Sequence, residues 1–158
     1  MNIAEALAKT EVKGRVLLVG SPAEAVAAAE RLGLSEVFIA DTDHQALENT
    51  AKTHTSLKIN PVYTRVVERW VELPSSSFDA VVSLHSLERA VNKRAFMTEA
   101  RRLLKDGGKF LIAVKVKGFL RKQGLRKEEL EKLLNTQGFK TEALAYGGGE
   151  AFAVLVKT

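Results

Sequence analysis

Cysteine is absent from the 158 residues. That excludes disulfides, thiolate metal sites, iron–sulfur clusters and thiol nucleophiles. With only three prolines there is no proline-rich linker, and no low-complexity segment or internal repeat interrupts the chain. No apolar run approaches the roughly 20 residues that cross a bilayer. The first residues, Met1-Asn2-Ile3-Ala4-Glu5, bring an acid early and no signal-type apolar core, so a cytoplasmic protein is expected, with no membrane partner. No G-x-G-x-x-G follows the first apolar run and no G-x-x-x-x-G-K-[ST] occurs, which argues against a nicotinamide dinucleotide domain and a phosphate loop. The three histidines, His44, His54 and His85, are far apart and lack a tight carboxylate cluster, so no metal is expected. What remains is a balanced composition, 46% hydrophobic and 27% charged, expected to form one domain over residues 1–158. A chain of this length buries roughly 70% of its unfolded surface without staples.

Charge is unevenly spread. The net charge is +5, yet residues 93–127 hold twelve basic residues and two acids, Glu99 and Asp106, leaving the rest of the chain negative. Two readings stay open for this stretch: a solvated helix face followed by a basic loop, or a surface for a polyanion such as RNA or an acidic partner.

Short apolar runs alternate with helical patterns. Residues 15–19, between Gly14 and Gly20, read as a strand buried on both faces. Ser21-Pro22-Ala23-Glu24 has the pattern of a helix start: an N-cap, proline at the first position and an acid to close a capping box. Residues 36–40 form the next expected strand, ending at Asp41, and Asp43 caps a helix through about Lys52. Between residues 58 and 72, Val66-Val67 and Val71 allow a weak strand that Pro61 counts against. Residues 78–84 read clearly as a strand. Asn92 caps a helix with Phe96, Met97, Ala100, Leu103 and Leu104 on one face, expected to end at Gly107-Gly108. A strand over 109–116 and an amphipathic helix with Leu130, Leu133 and Leu134 follow. Two last strands, 139–145 and 150–156, joined through Gly147-Gly148-Gly149, permit only an antiparallel hairpin. Repeated strand–helix units predict a mostly parallel α/β sheet with helices on both faces.

Three passages in this order resemble the class I S-adenosylmethionine-dependent methyltransferases. Residues 78–83 followed by Leu84-His85-Ser86-Leu87 are similar to that family's fourth strand and the loop leaving it. Glu99-Ala100-Arg101-Arg102-Leu103-Leu104-Lys105-Asp106-Gly107-Gly108 is similar to its E-x-x-R-x-L-K-P-G-G passage. The helix reaching Gly138-Phe139 is similar to the one before its final hairpin. The resemblance spans about residues 14–157. It implies a Rossmann-like, seven-stranded, mostly parallel sheet with helices on both faces and a terminal antiparallel hairpin. It implies S-adenosylmethionine as cofactor and methyl transfer as activity, with an unknown acceptor. The alternative is a non-catalytic methyltransferase-like domain serving as adaptor or nucleic-acid-binding subunit.

The same resemblance implies cofactor-binding residues Gly20, Ser21, Asp41, Thr42, Glu68, Arg69, Trp70 and Ser83. Of the family's acid-x-Gly-x-Gly-x-Gly loop only Gly20 remains, with Leu18, Pro22 and Glu24 at the other places. Pro22 has no N–H, so this turn reads as built to start a helix. Asp41 stands where the family binds the two ribose hydroxyls, and it reads equally as an acid ahead of a helix N-terminus. Arg69 falls where an acid would bond the adenine amino group; Glu68 would serve if the register slipped by one. Trp70 stands near the adenine position, although a core or rim tryptophan is the plainer reading. His85, just past the fourth strand, is the candidate base, or else a packing residue. The family's Asn-Pro-Pro-Tyr type signature is missing, which argues against a base's exocyclic amine as acceptor. Lys117, Phe119, Arg121, Lys122, Arg126 and Lys127 form the candidate polyanion site. No long insertion builds a lid, so a partner subunit is expected to complete the site.

Overall fold

The computed structural model describes residues 3–53, 56–65, 73–118 and 123–158. Its seven strands are β1 (Val16–Val19), β2 (Glu36–Asp41), β3 (Lys58–Tyr63), β4 (Phe78–Leu84), β5 (Leu104–Lys115), β6 (Phe139–Gly147) and β7 (Glu150–Lys157). They lie in the order β3-β2-β1-β4-β5-β7-β6. All neighbours are parallel except that β7 runs antiparallel to both β5 and β6. Helices α1 (Ile3–Lys9), α2 (Pro22–Arg31) and α3 (His44–Thr53) precede β3, while α4 (Lys93–Leu103) and α5 (Lys127–Leu134) follow β4. This is the expected class I methyltransferase architecture.

Alternation of side chains explains why the central strands are apolar on both faces. On β1, Leu17 and Val19 join one core with Phe96, Met97 and Leu103 of α4 and Leu130 and Leu134 of α5. Val16 and Leu18 join the other, with Ala6 and Leu7 of α1, Ala25 and Ala29 of α2 and Leu47 of α3.

Local signals fix several ends. Ser21 Oγ accepts from Glu24 N at 3.4 Å, Asp43 Oδ1 from Ala46 N at 3.0 Å, and Asn92 Oδ1 from Ala95 N at 3.0 Å. Each side chain satisfies one of the free N–H groups at a helix start. The β6–β7 turn places Gly148 at φ 60° and Gly149 at φ 76°, the positive angles that a two-residue type I′ hairpin demands.

Two expectations need correction. α4 does not run to Gly107-Gly108. It ends at Leu103, and Leu104 opens β5 by pairing with Phe78, so pairing across the sheet overrides the local glycine signal. The third strand is Lys58–Tyr63, with Pro61 inside it. β3 is an edge strand, and an edge tolerates a residue without an N–H. Val66, Val67 and Val71 lie outside the described residues.

Candidate functional site

The strand order reverses between β1 and β4, and ligands of open α/β sheets gather at the carboxyl ends of the strands beside such a reversal. The chain is drawn tight there. Gly20 N donates to Ala40 O at 3.4 Å, joining the ends of β1 and β2. The Ser86 hydroxyl donates to Val19 O at 3.1 Å, joining β1 to the loop after β4. A Cβ on Gly20 would stand 2.8 Å from Leu84 O and 2.9 Å from Leu84 Cβ, so this position takes glycine for the close approach of β4.

A cavity of about 410 Å³ opens at this point, lined among others by Ser21, Glu24, His85, Glu88, Arg89 and Lys115. His85 dominates it. Its backbone sits at φ 54°, a left-handed conformation uncommon outside glycine. His85 N donates to Ala113 O at 2.8 Å, and Arg89 Nε donates to His85 O at 3.0 Å. Its ring bridges two carboxylates, Nδ1 lying 3.2 Å from Glu24 Oε2 and Nε2 2.8 Å from Glu150 Oε1. A neutral imidazole donates from only one nitrogen, so both contacts are satisfied together when both nitrogens carry a proton. The expected capping box is thereby half made: Ser21 caps the helix, but the Glu24 carboxylate turns to His85.

Beside the bridge, Glu88 Oε2 accepts from Lys115 N at 2.7 Å, while Glu88 Oε1 is buried with no hydrogen-bond partner among the described residues. Lys115 also stands opposite Glu150 across β5 and β7. Glu88, Arg89, Lys115 and Glu150 escaped the sequence reading. Glu150 opens a strand whose partner and register are set by the fold, and Glu88 shows only as an acid one turn beyond β4.

At the end of β2, Asp41 is half-buried, and its Oδ2 accepts from Asp43 N at 3.3 Å. Thr42 beside it is exposed. Ser83, between Val19 of β1 and Ile112 of β5, is fully buried, and its hydroxyl has no partner among the described residues. Glu68, Arg69 and Trp70 lie outside the described residues, as do Phe119, Arg121 and Lys122. His44 Nε2 lies 2.8 Å from Thr64 O, outside the cavity.

The basic stretch is divided rather than continuous. Arg102 pairs with Glu99 on α4. Lys105 pairs with Asp79 at 3.3 Å beside the amino end of β4. Lys117 N donates to Leu125 O at 2.8 Å and Leu125 N to Lys115 O at 2.9 Å. These bonds bring Lys115 and Lys117 back beside Arg126 and Lys127 at the carboxyl end of β5. Lys127 Nζ rests 4.9 Å from the centre of the Tyr146 ring, a cation–π contact.

The profile of the methyltransferase domain matches residues 17–112, well over half of the chain. The chain belongs to the methyltransferase-domain family. The family implies S-adenosylmethionine as cofactor. No match is found among curated proteins. Solved structures share the fold. An S-adenosylmethionine-dependent methyltransferase from Thermotoga maritima is 18% identical at a TM-score of 0.73, covering 98% of this chain and 87% of that one. One from Aquifex aeolicus is 16% identical at 0.75, covering 98% and 88%. A chain of the Haloferax volcanii complex with the methyltransferase activator Trm112 is 17% identical at 0.75, covering 97% and 87%.

The residues at the carboxyl edge of the sheet fit one half of this cofactor. A half-buried carboxylate suits a vicinal diol, and Asp41 offers one. The other half carries an ammonium and a carboxylate. Against it the α2 turn presents Pro22 without an N–H, Glu24 N taken by Ser21 Oγ, and a Glu24 carboxylate already paired with His85.

Proposed function

We propose that this methyltransferase domain acts on RNA, and that a partner chain covers its open crevice. The observation that supports RNA is the pairing of Leu125 with Lys115 and Lys117, which brings Arg126 beside Lys117 and gathers cations from two separate segments on the edge where an acceptor approaches. Such a cluster suits a run of phosphates. No described helix is long and apolar enough to cross a membrane. The Haloferax volcanii neighbour is held in a complex with its activator, and a comparable covering chain here would exclude water from the transfer.

S-adenosylmethionine supplies an electrophilic methyl group whose in-line transfer depends on positioning and on excluding water. Asp41 would hold the ribose hydroxyls. Gly20 lets β1 and β4 close on each other beneath the site. His85 lies at the mouth of the crevice with both ring nitrogens engaged, so in this arrangement it organises the crevice rather than serving as a base.

A second reading, an RNA-binding subunit without methyl transfer, draws on that same engagement of His85. One experiment separates the two: RNA affinity is followed by fluorescence anisotropy against salt, alongside transfer of labelled methyl from S-adenosylmethionine. Each phosphate contact contributes about −0.7 to the log–log slope for a single strand, so changing Lys117, Arg126 and Lys127 to glutamine flattens it by about 2. Affinity with labelled RNA supports the enzyme, and affinity without label supports the subunit. No RNA binding at about 50 mM salt refutes both.

A further inference from the structure

We propose that the crevice recognises the nucleoside half of S-adenosylmethionine and is indifferent to its amino-acid tail, so that a nucleoside bearing a short 5′-thioether binds as well as the full-length product. The inference rests on the cofactor reading above and says which part of that molecule this chain holds.

The argument begins with donors. A helix start is a ready anion site because its first N–H groups point outward unpaired. In α2 part of this resource is spent: Pro22 contributes no N–H, and Glu24 N is taken by the Ser21 hydroxyl at 3.4 Å. The carboxylate of an amino-acid tail finds fewer donors there than at a helix start without the proline and the cap.

Charge works the same way. Glu24 and Glu150 flank His85, so even with the ring protonated the bridge carries one net negative charge, which repels a carboxylate. Two cations line the cavity besides His85. Arg89 is committed to His85 O at 3.0 Å and to the Ser86 hydroxyl at 3.4 Å. Lys115 faces Glu150 across the strands, and its own N–H binds the Glu88 carboxylate at 2.7 Å. An ammonium would be welcome beside these acids, but the tail brings its carboxylate on the same carbon.

The bridge is also anchored. The His85 backbone is bonded on both sides, to Ala113 O and from Arg89, and the ring holds α2 to β7 across the end of β4. Asp41 stands apart from it on β2; among the described residues its carboxylate accepts only the Asp43 amide, at 3.3 Å, which leaves it capacity for a diol. Recognition is therefore divided between an end that is available and an end that is self-satisfied.

The test is calorimetric titration of the wild-type chain with 5′-methylthioadenosine, adenosine and S-adenosylhomocysteine. The expected result is a dissociation constant for methylthioadenosine within about threefold of that for S-adenosylhomocysteine, both weakened at least about tenfold by Asp41→Ala. Glu24→Ala alters an exposed position and removes the repelling acid, so it strengthens S-adenosylhomocysteine by about fivefold or more while leaving methylthioadenosine unchanged. S-adenosylhomocysteine binding about tenfold or more tighter than methylthioadenosine in the wild type overturns the inference alone and leaves the cofactor reading standing. Failure of all three probes to bind overturns both. Binding that is equal for all three but untouched by Asp41→Ala overturns the assignment of the nucleoside end.

Discussion

At the end of β2 Asp41 is half-buried, and among the described residues its carboxylate accepts one hydrogen bond, from the amide two residues on. At the β1–β4 end Glu24, His85 and Glu150 bind one another across three elements of the fold. Both ends occupy the carboxyl edge of one parallel sheet and face the same reversal of strand order. The difference teaches that a shared architecture does not impose a shared degree of readiness. An end whose carboxylate keeps capacity for further hydrogen bonds is prepared for a ligand, whereas an end whose charges are internally matched must break those contacts before it receives one.

The largest effect that breaks this comparison is expected at Asp41. Replacing it with alanine lowers nucleoside affinity at least about tenfold, while His85→Gln, at the self-satisfied end, changes it less than about twofold. Calorimetry on both variants checks this, and an equal loss from the two would erase the distinction between the ends.

A smaller effect is expected at Ser21. If its hydroxyl serves the helix rather than a ligand, Ser21→Ala costs about 0.5–1 kcal/mol of stability, the lower part of the N-cap range, in keeping with a bond of 3.4 Å. Urea unfolding measures that cost. Unchanged stability with weakened S-adenosylhomocysteine binding would instead make Ser21 a ligand contact.

The smallest effect belongs to the opposite edge of the sheet. There the Arg15 amide donates to Asp79 at 2.7 Å and, with Lys105 adding its charge, holds the carboxyl below its ordinary range. A carboxyl lowered by folding adds stability above its unfolded value of about 3.9, and that stability is lost as pH falls through the lower folded value. Asp79→Asn is therefore expected to flatten the fall of stability below about pH 5, with no change in ligand affinity at neutral pH. An identical acid profile in variant and wild type would remove Asp79 from the account.

What the chain discloses before folding is mostly local. Ser21, Asp43 and Asn92 announce helix starts because each cap bonds an amide three residues on. The alternation of Val16 to Val19 and of Phe78 to Leu84 announces buried strands. Asp41 is legible as well, since it closes an apolar run. The end of α4 is not, because Leu104 answers to Phe78, a strand partner distant in sequence, before it answers to Gly107. The His85 bridge is equally hidden. Its partners stand 61 and 65 positions away and meet it only once α2, the end of β4 and the start of β7 are brought to one edge of the sheet. Glu24 illustrates the cost of reading locally: its spacing from Ser21 fits a capping box, yet His85 competes for the carboxylate and holds it.

Saturation-transfer nuclear magnetic resonance on S-adenosylhomocysteine in exchange with the protein tests the central contrast most directly, because it reports which protons of one molecule touch the chain. The account predicts strong transfer to the ribose and adenine protons and weak transfer to those of the amino-acid tail, with the ribose signal lost in Asp41→Ala. Transfer as strong to the tail as to the ribose would contradict it.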